Sequence, residues 1–282
     1  MAVRTAILTD STADIPPALA QERHIYVVPM QIIWQGETLR DGIDIDAQQF
    51  YRRLATTREL PTTSQPAPST LAEAYRRARD ETGAEGVIML TISARLSGSY
   101  NAALEATKMV DFPAHAVDTR TGSIAHGLVA LALADARDEG IAPGDAFELA
   151  QQLAARTKMI FALDTLEYLH RSGRIDNLRR LIGTALRIKP ILHVKDGGIA
   201  LLEQVRTRKH MLRRLSEIFD EAVDRTRPLR VGVLHGNALE DMQMLVEKIR
   251  ARWSPLQLVE GTVGVSVGVH TGPGSLGFGI LQ

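Results

Sequence analysis

Four short segments hold most of the side chains able to do chemistry. Thr62-Thr63-Ser64-Gln65-Pro66-Ala67-Pro68 is rich in hydroxyls, and its two prolines hold the backbone extended ahead of a helix. Its hydroxyls can donate to an anion or serve only as turn-forming groups. Residues 91–101, Thr91-Ile92-Ser93-Ala94-Arg95-Leu96-Ser97-Gly98-Ser99-Tyr100-Asn101, leave a strand and open a helix. Free N–H groups converge at such a place, and the helix dipole favours negative charge. Ser97 is expected as the N-cap hydroxyl and Gly98 as the residue that lets a ligand come close. Residues 168–175 end a helix at Gly173 and place Arg174 just beyond it. A guanidinium there pairs with a carboxylate or phosphate, or is merely solvated. Val263, Val265, Val267 and Val269 alternate with Thr262, Gly264, Ser266, Gly268 and His270. That period of two predicts a strand with one core face and one face nearly free of bulk, ending in His270.

Other chemistries fail on spacing. A nucleophile elbow needs glycine two residues before and two after its serine; around Ser97 those positions are Arg95 and Ser99. Gly272-Pro273-Gly274-Ser275-Leu276-Gly277 spells a dinucleotide loop, but the five residues after Gly277 leave no room for the helix, second strand and ribose-binding acid. A glycine-rich turn beside a site is expected instead. The eight histidines include no pair at i, i+3 or i, i+4. Asp41, Asp44 and Asp46 imitate a calcium loop, yet Asp46 stands where glycine is needed and Arg52 where glutamate is needed. No metal site is expected. Cysteine is absent, which excludes disulfides, thiolate nucleophiles and Cys-bearing zinc or iron–sulfur sites.

Positioning these segments falls to elements the pattern predicts. Residues 6–9 read as a buried strand and 25–33 as a second apolar run. Phe50, Tyr51 and Leu54 have helical spacing. Thr70 and Glu73 spell a capping box before the stripe Leu71, Ala74, Tyr75 and Ala78, and Gly83 stops that helix. Strands at 87–90 and 116–118 alternate with helices at 97–109 and 122–139, the mark of βαβ units and a mainly parallel sheet. Asp145 with Glu148 and Asp164 with Glu167 read as helix starts. Residues 188–194 and 199–205, joined by Asp196-Gly197-Gly198, predict a hairpin. Helices at 209–224 and 239–252 flank a strand at 229–234, and the tail from 256 reads as β to its end. The expectation is an α/β protein of two domains. Residues 1–165 form a mainly parallel α/β sheet domain, and residues 166–282 a mixed α+β domain.

Composition narrows the function classes. The 282 residues carry 33 Lys+Arg and 33 Asp+Glu, for a formal net charge of zero. That balance removes the bulk electrostatic argument for nucleic acid. The densest basic run, Arg206-Thr207-Arg208-Lys209-His210, is short. The most apolar helical stretch, 128–134, falls far below the roughly 20 residues of a membrane span. No signal-peptide pattern opens the sequence, so a cytoplasmic protein without stable membrane insertion is expected.

In this order, the segments resemble the DegV family. The matching pieces are Leu8-Thr9-Asp10-Ser11-Thr12-Ala13-Asp14-Ile15-Pro16, Thr63-Ser64-Gln65-Pro66, Ser93-Ala94-Arg95-Leu96-Ser97-Gly98-Ser99-Tyr100 and Val117-Asp118-Thr119. Residues 169–175, Lys189-Pro190-Ile191 and His270-Thr271-Gly272-Pro273-Gly274 complete the set. The resemblance implies two α/β domains with a long lipid tunnel between them and one bound long-chain fatty acid. It further implies the acyl-binding subunit of a bacterial fatty acid kinase, whose separate partner carries ATP and Mg and makes an acyl phosphate. By position, Thr63 and Ser97 resemble the family's carboxylate-binding hydroxyls. Arg174 and His270 resemble the polar groups that extend that network, and Arg206 a basic docking residue. Ser99 and Ser172 depart from the commoner Thr and Gly. No cofactor is expected on this chain, and no G-x-x-x-x-G-K-[ST] loop occurs in it. Two other readings are a lipid store or sensor without a kinase, and a Ser-dependent lipid hydrolase using Ser97 and His270.

Overall fold

A computed structural model describes residues 4–57, 59–175 and 188–282. The chain opens with β1 (Thr5–Asp10), one 3-10 turn (Ser11–Ala13), α1 (Pro17–Glu22), β2 (Ile25–Val28), β3 (Gln31–Trp34) and β4 (Glu37–Arg40). There follow α2 (Ala47–Leu54), β5 (Thr62–Ser64), α3 (Pro68–Thr82), β6 (Gly86–Thr91), α4 (Ser99–Thr107), β7 (Ala114–Asp118) and α5 (Ser123–Asp138). Then come α6 (Pro143–Ala155), β8 (Thr157–Ala162), α7 (Glu167–Arg171), β9 (Lys189–Lys195) and β10 (Gly198–Val205). The chain closes with α8 (Arg208–Ala222), β11 (Arg230–His235), α9 (Leu239–Arg252), β12 (Gln257–Thr262), α10 (Val265–Thr271) and β13 (Leu276–Leu281).

The expected parallel sheet has strand order β2-β1-β6-β7, with every pairing parallel. β1 and β6 are buried at all positions, as strands covered on both faces must be. A second sheet has the order β10-β9-β8-β13-β11-β12 and is antiparallel except between β11 and β12. Its strand β8 lies before residue 166. A small antiparallel sheet, β4-β3-β5, stands apart from both. α5 packs against β1 of the first sheet and against β8, β11 and β13 of the second, so it is buried around most of its circumference. Gly232 on β11 allows that approach; a Cβ there would sit 2.0 Å from Ile124 Cγ1.

Three local expectations are corrected. α3 begins at Pro68 with Ala67 as N-cap, so Thr70 and Glu73 lie inside the helix and form no capping box. Proline suits the first helical position because its missing N–H would be unpaired there anyway. The N-cap of α4 is Gly98, not Ser97. Ser97 Oγ instead accepts from the Ser99 N–H at 3.2 Å. The third correction is the largest: the valine alternation at 263–270 is not a strand, because residues 265–271 form α10, and the tail from 256 is therefore not β throughout. The Gly264 N–H donates to Asp14 Oδ1 at 3.0 Å, and the Ser266 N–H to Asp41 Oδ2 at 3.2 Å. These distant carboxyl groups satisfy donors at the helix start that have no partner within the helix. Val265 and Val269, four apart, then share the core with Ile32, Trp34 and Phe50.

Candidate functional site

A cavity opens between the two larger sheets, with about 870 Å³ of atom-free space, part of it continuous with solvent. Met30, Leu96, Met159, Phe161, Val194 and Leu276 are typical of its walls. Polar groups enter from different elements: Thr63 from β5, Ser97 from the turn before α4, Arg174 from beyond α7, and His270 from the end of α10. Ser266 and His270 share one turn spacing on α10, as do Val267 and Thr271, and all four line the cavity. The helix thus sends its valine pair inward and a polar-edged face to the cavity.

Thr63 Oγ1 and His270 Nε2 lie 3.1 Å apart, although 207 positions separate the two residues in sequence. Pairing of β5 with β3 holds Thr63 opposite Ile32. His270 Nδ1 is buried and has no partner among the described residues. Burial, and secondarily the Arg174 charge, pushes the imidazole down to about 3. The ring is therefore neutral near pH 7 and carries one N–H. When Thr63 donates to Nε2, that N–H is on Nδ1, an unmet donor that can serve an anion. Ser97 Oγ lies 2.9 Å from Ser99 Oγ.

Arg174 donates from Nε to the Leu96 carbonyl at 3.3 Å and from Nη1 to the Ser172 carbonyl at 2.6 Å. No carboxylate among the described residues pairs with it, and burial lowers its pKa. A guanidinium in that position gains from an incoming anion. Gly98 lies beside Ser97 on an adjoining polar cavity rather than on the apolar one. Arg206 is exposed in the turn between β10 and α8 and lines neither. The site residues read from sequence thus fall into a group of four, a neighbour and an outlier. Ser97 and His270 do not hydrogen bond to each other, so no serine–histidine nucleophile is assembled.

The sequence reading missed two buried aspartates behind the cavity wall. Asp14 accepts from Ser123 Oγ at 2.6 Å, and burial raises its carboxyl to about 8. Asp41 accepts from Ser11 Oγ at 2.7 Å and from Ser266, and burial raises it too. For Asp14 the signal was the turn after β1, since open parallel sheets place sites at the carboxyl ends of strands, whereas Asp41 follows β4 of the small antiparallel sheet and had no such signal. The other members of the false calcium motif have structural uses: Asp44 pairs with Arg40 at 2.8 Å and Asp46 caps α2. Among the described residues no three His, Asp or Glu side chains converge as a metal site. No helix there is long and apolar enough to cross a membrane.

Fold and cavity together define an α/β protein built around an apolar chamber whose rim carries hydroxyls, an imidazole and a guanidinium with no carboxylate partner among the described residues. The chain belongs to the DegV family, whose model, described as "Uncharacterised protein, DegV family", matches residues 4–282. A DegV domain-containing protein of Streptomyces coelicolor is 40% identical over 281 residues, covering 98% of each chain. A DegV family protein of Thermus thermophilus, described by its fatty acid binding, superposes with a TM-score of 0.92 at 28% identity, covering 99% of each chain. DegV of Bacillus subtilis, described as a fatty acid binding protein, gives a TM-score of 0.90 at 31% identity, with 99% of each chain covered.

Proposed function

We propose that this protein binds one long-chain fatty acid, with the tail in the cavity and the carboxylate at Thr63, Ser97 and the backbone of Gly98. Arg174 and His270 extend the polar network beside it. One observation carries this reading: Thr63, Ser97, Arg174 and His270 line one cavity whose exposed surface is mostly apolar, with Thr63 and His270 in contact. The fatty acid binding described for the relatives supports it. Each buried methylene is worth about 0.8 kcal/mol, so a chain of about fifteen supplies roughly 12 kcal/mol before the costs of association. The tail supplies affinity and the head supplies orientation.

The finer reading is that the protein presents the carboxyl to a separate kinase subunit carrying ATP and Mg, which forms the acyl phosphate, with Arg206 at the docking face. Hydroxyls and a neutral imidazole hold a carboxylate without quenching it, leaving an oxygen able to attack a phosphoryl group. A cytoplasmic setting and a division near residues 165 and 166 belong to the same proposal. Denaturing mass spectrometry should release a C14–C18 acid at about one per chain. An empty protein that takes up no added acid refutes the binding. Adding ATP and a cognate kinase subunit should give an acyl phosphate, trapped with hydroxylamine; bound lipid without that product refutes the kinase step and favours a store or sensor.

A further inference from the structure

The apolar cavity holds more hydroxyls than a carboxylate head needs. Thr12, Ser123 and Ser266 also line it, each of them buried, and none belongs to the set of Thr63, Ser97, Arg174 and His270. Two further hydroxyls of the wall satisfy one another: Ser275 donates to Thr271 at 3.4 Å, and Thr271 to the Val267 carbonyl at 3.3 Å. A tail of plain methylenes asks only for walls such as Ile92, Leu234 and Val263.

Thr12, Ser123 and Ser266 come from different elements and are drawn together by buried carboxyls. Thr12 lies in the 3-10 turn after β1, Ser123 opens α5, and Ser266 lies in the first turn of α10. Asp14 joins Ser123, at 2.6 Å, to the Gly264 N–H, at 3.0 Å. Asp41 joins Ser11, the neighbour of Thr12, to the hydroxyl and N–H of Ser266. Thr12 donates its proton to Asp10 and Ser266 donates its own to Asp41, while among the described residues their oxygens accept nothing. Each keeps lone pairs for an incoming donor. Ser123 is different. An ionised Asp14 takes its proton, but a neutral Asp14, which burial favours near pH 7, donates from Oδ2 and frees that proton for the cavity. The patch thus offers acceptors and a donor side by side. Ser266 stands four residues from His270, about 6 Å of helix rise, which is several methylenes down an extended acyl chain from the head group.

We propose that Thr12, Ser123 and Ser266 form a subsite for a hydroxyl carried on the acyl chain, so that the ligand class includes hydroxy fatty acids with the hydroxyl several carbons from the carboxyl. This rests on the reading that an acyl chain fills the cavity with its carboxylate at Thr63 and Ser97. A hydroxyl has one proton and two lone pairs, so it donates to Thr12 or Ser266 while it accepts from Ser123. A ketone meets Ser123 alone, and a methylene meets none of the three. A hydroxyl lodged elsewhere, among apolar walls, is buried unpaired and disfavoured.

The probes are 6-hydroxystearate, 6-oxostearate, 12-hydroxystearate and stearate, each titrated into the delipidated full-length protein. 6-Hydroxystearate should bind about tenfold or more tighter than 12-hydroxystearate, with 6-oxostearate between them. Ser266→Ala and Ser123→Gly should each cut that ratio about threefold or more. Glycine suits the φ of 51° at position 123, and the comparison of ligands on the unaltered protein stands whether or not either variant folds. Equal affinity for the two hydroxy isomers overturns the proposal, as does a 6-oxo acid that outbinds the 6-hydroxy acid. A ratio that neither folded variant moves also overturns it. Stearate that binds while the isomers show no positional preference overturns this proposal alone, whereas failure of all four probes to bind overturns the underlying reading with it.

Discussion

Thr63→Val removes one hydroxyl while keeping the side chain's shape, and the structure sets what that should cost. The Thr63 oxygen is the only partner of His270 Nε2 among the described residues, and Nδ1 already has none. The substitution strips the imidazole of its remaining contact. A buried polar group left unpaired costs about 1–3 kcal/mol, and the half-buried setting of Thr63 favours the lower end. With ligand bound the hydroxyl donates to the carboxylate and accepts from a protonated Nε2 instead, so the ligand loses a charge-assisted hydrogen bond worth about 1.5–3 kcal/mol, or roughly 10- to 150-fold in Kd. The tail's contribution is untouched, so the loss should be the same ratio for a C14 and a C18 acid. Titration of labelled acids of both lengths, with a melting curve for each protein, checks this. Thr63→Ser should restore affinity. Unchanged affinity refutes the reasoning, and so does a loss that grows with chain length, which would mean a collapsed cavity rather than a missing hydroxyl.

Asp14 should govern part of the pH dependence of stability. Its folded carboxyl is raised to about 8, so the unfolded chain ionises first and stability falls as pH rises from about 4 towards 8. Asp14→Asn, which also suits the positive φ of 51° at this position, should flatten that fall in urea midpoints measured at pH 5 and 8.5. His270, held down to about 3, should show no imidazole titration by NMR between pH 5 and 8 in the empty protein, and its pKa should rise when a carboxylate is bound. A free His270 that titrates near 6.5 would contradict the buried geometry. Phe161→Ala, at a buried wall of the cavity, should cost about 3–5 kcal/mol in urea unfolding without ligand. A loss below about 1 kcal/mol would show that Phe161 does not pack as described.

Much of the fold was legible because it is local. Alternating strand and helix patterns marked the parallel sheet, Asp196-Gly197-Gly198 marked the hairpin turn, and the helix predicted at 239–252 has those bounds. α10 was misread because its valines satisfy two periods at once: every second residue looks like a strand, while Val265 and Val269 form one helix face. The deciding partners, Asp14 and Asp41, lie more than two hundred residues upstream. The polar rim was legible as separate motifs, but the contact between Thr63 and His270 depends on packing two sheets together.

β13 comes last among the strands yet lies between β8 and β11 in the second sheet, and it packs on α5. A nascent chain completes the first sheet and α5 long before that strand leaves the ribosome. Until then one greasy flank of α5 waits without its cover, and β8 and β11 have no strand between them. Deleting Leu276–Leu281 should therefore split the sheet through its middle rather than fray an edge, leaving a sticky species in place of a shortened native protein.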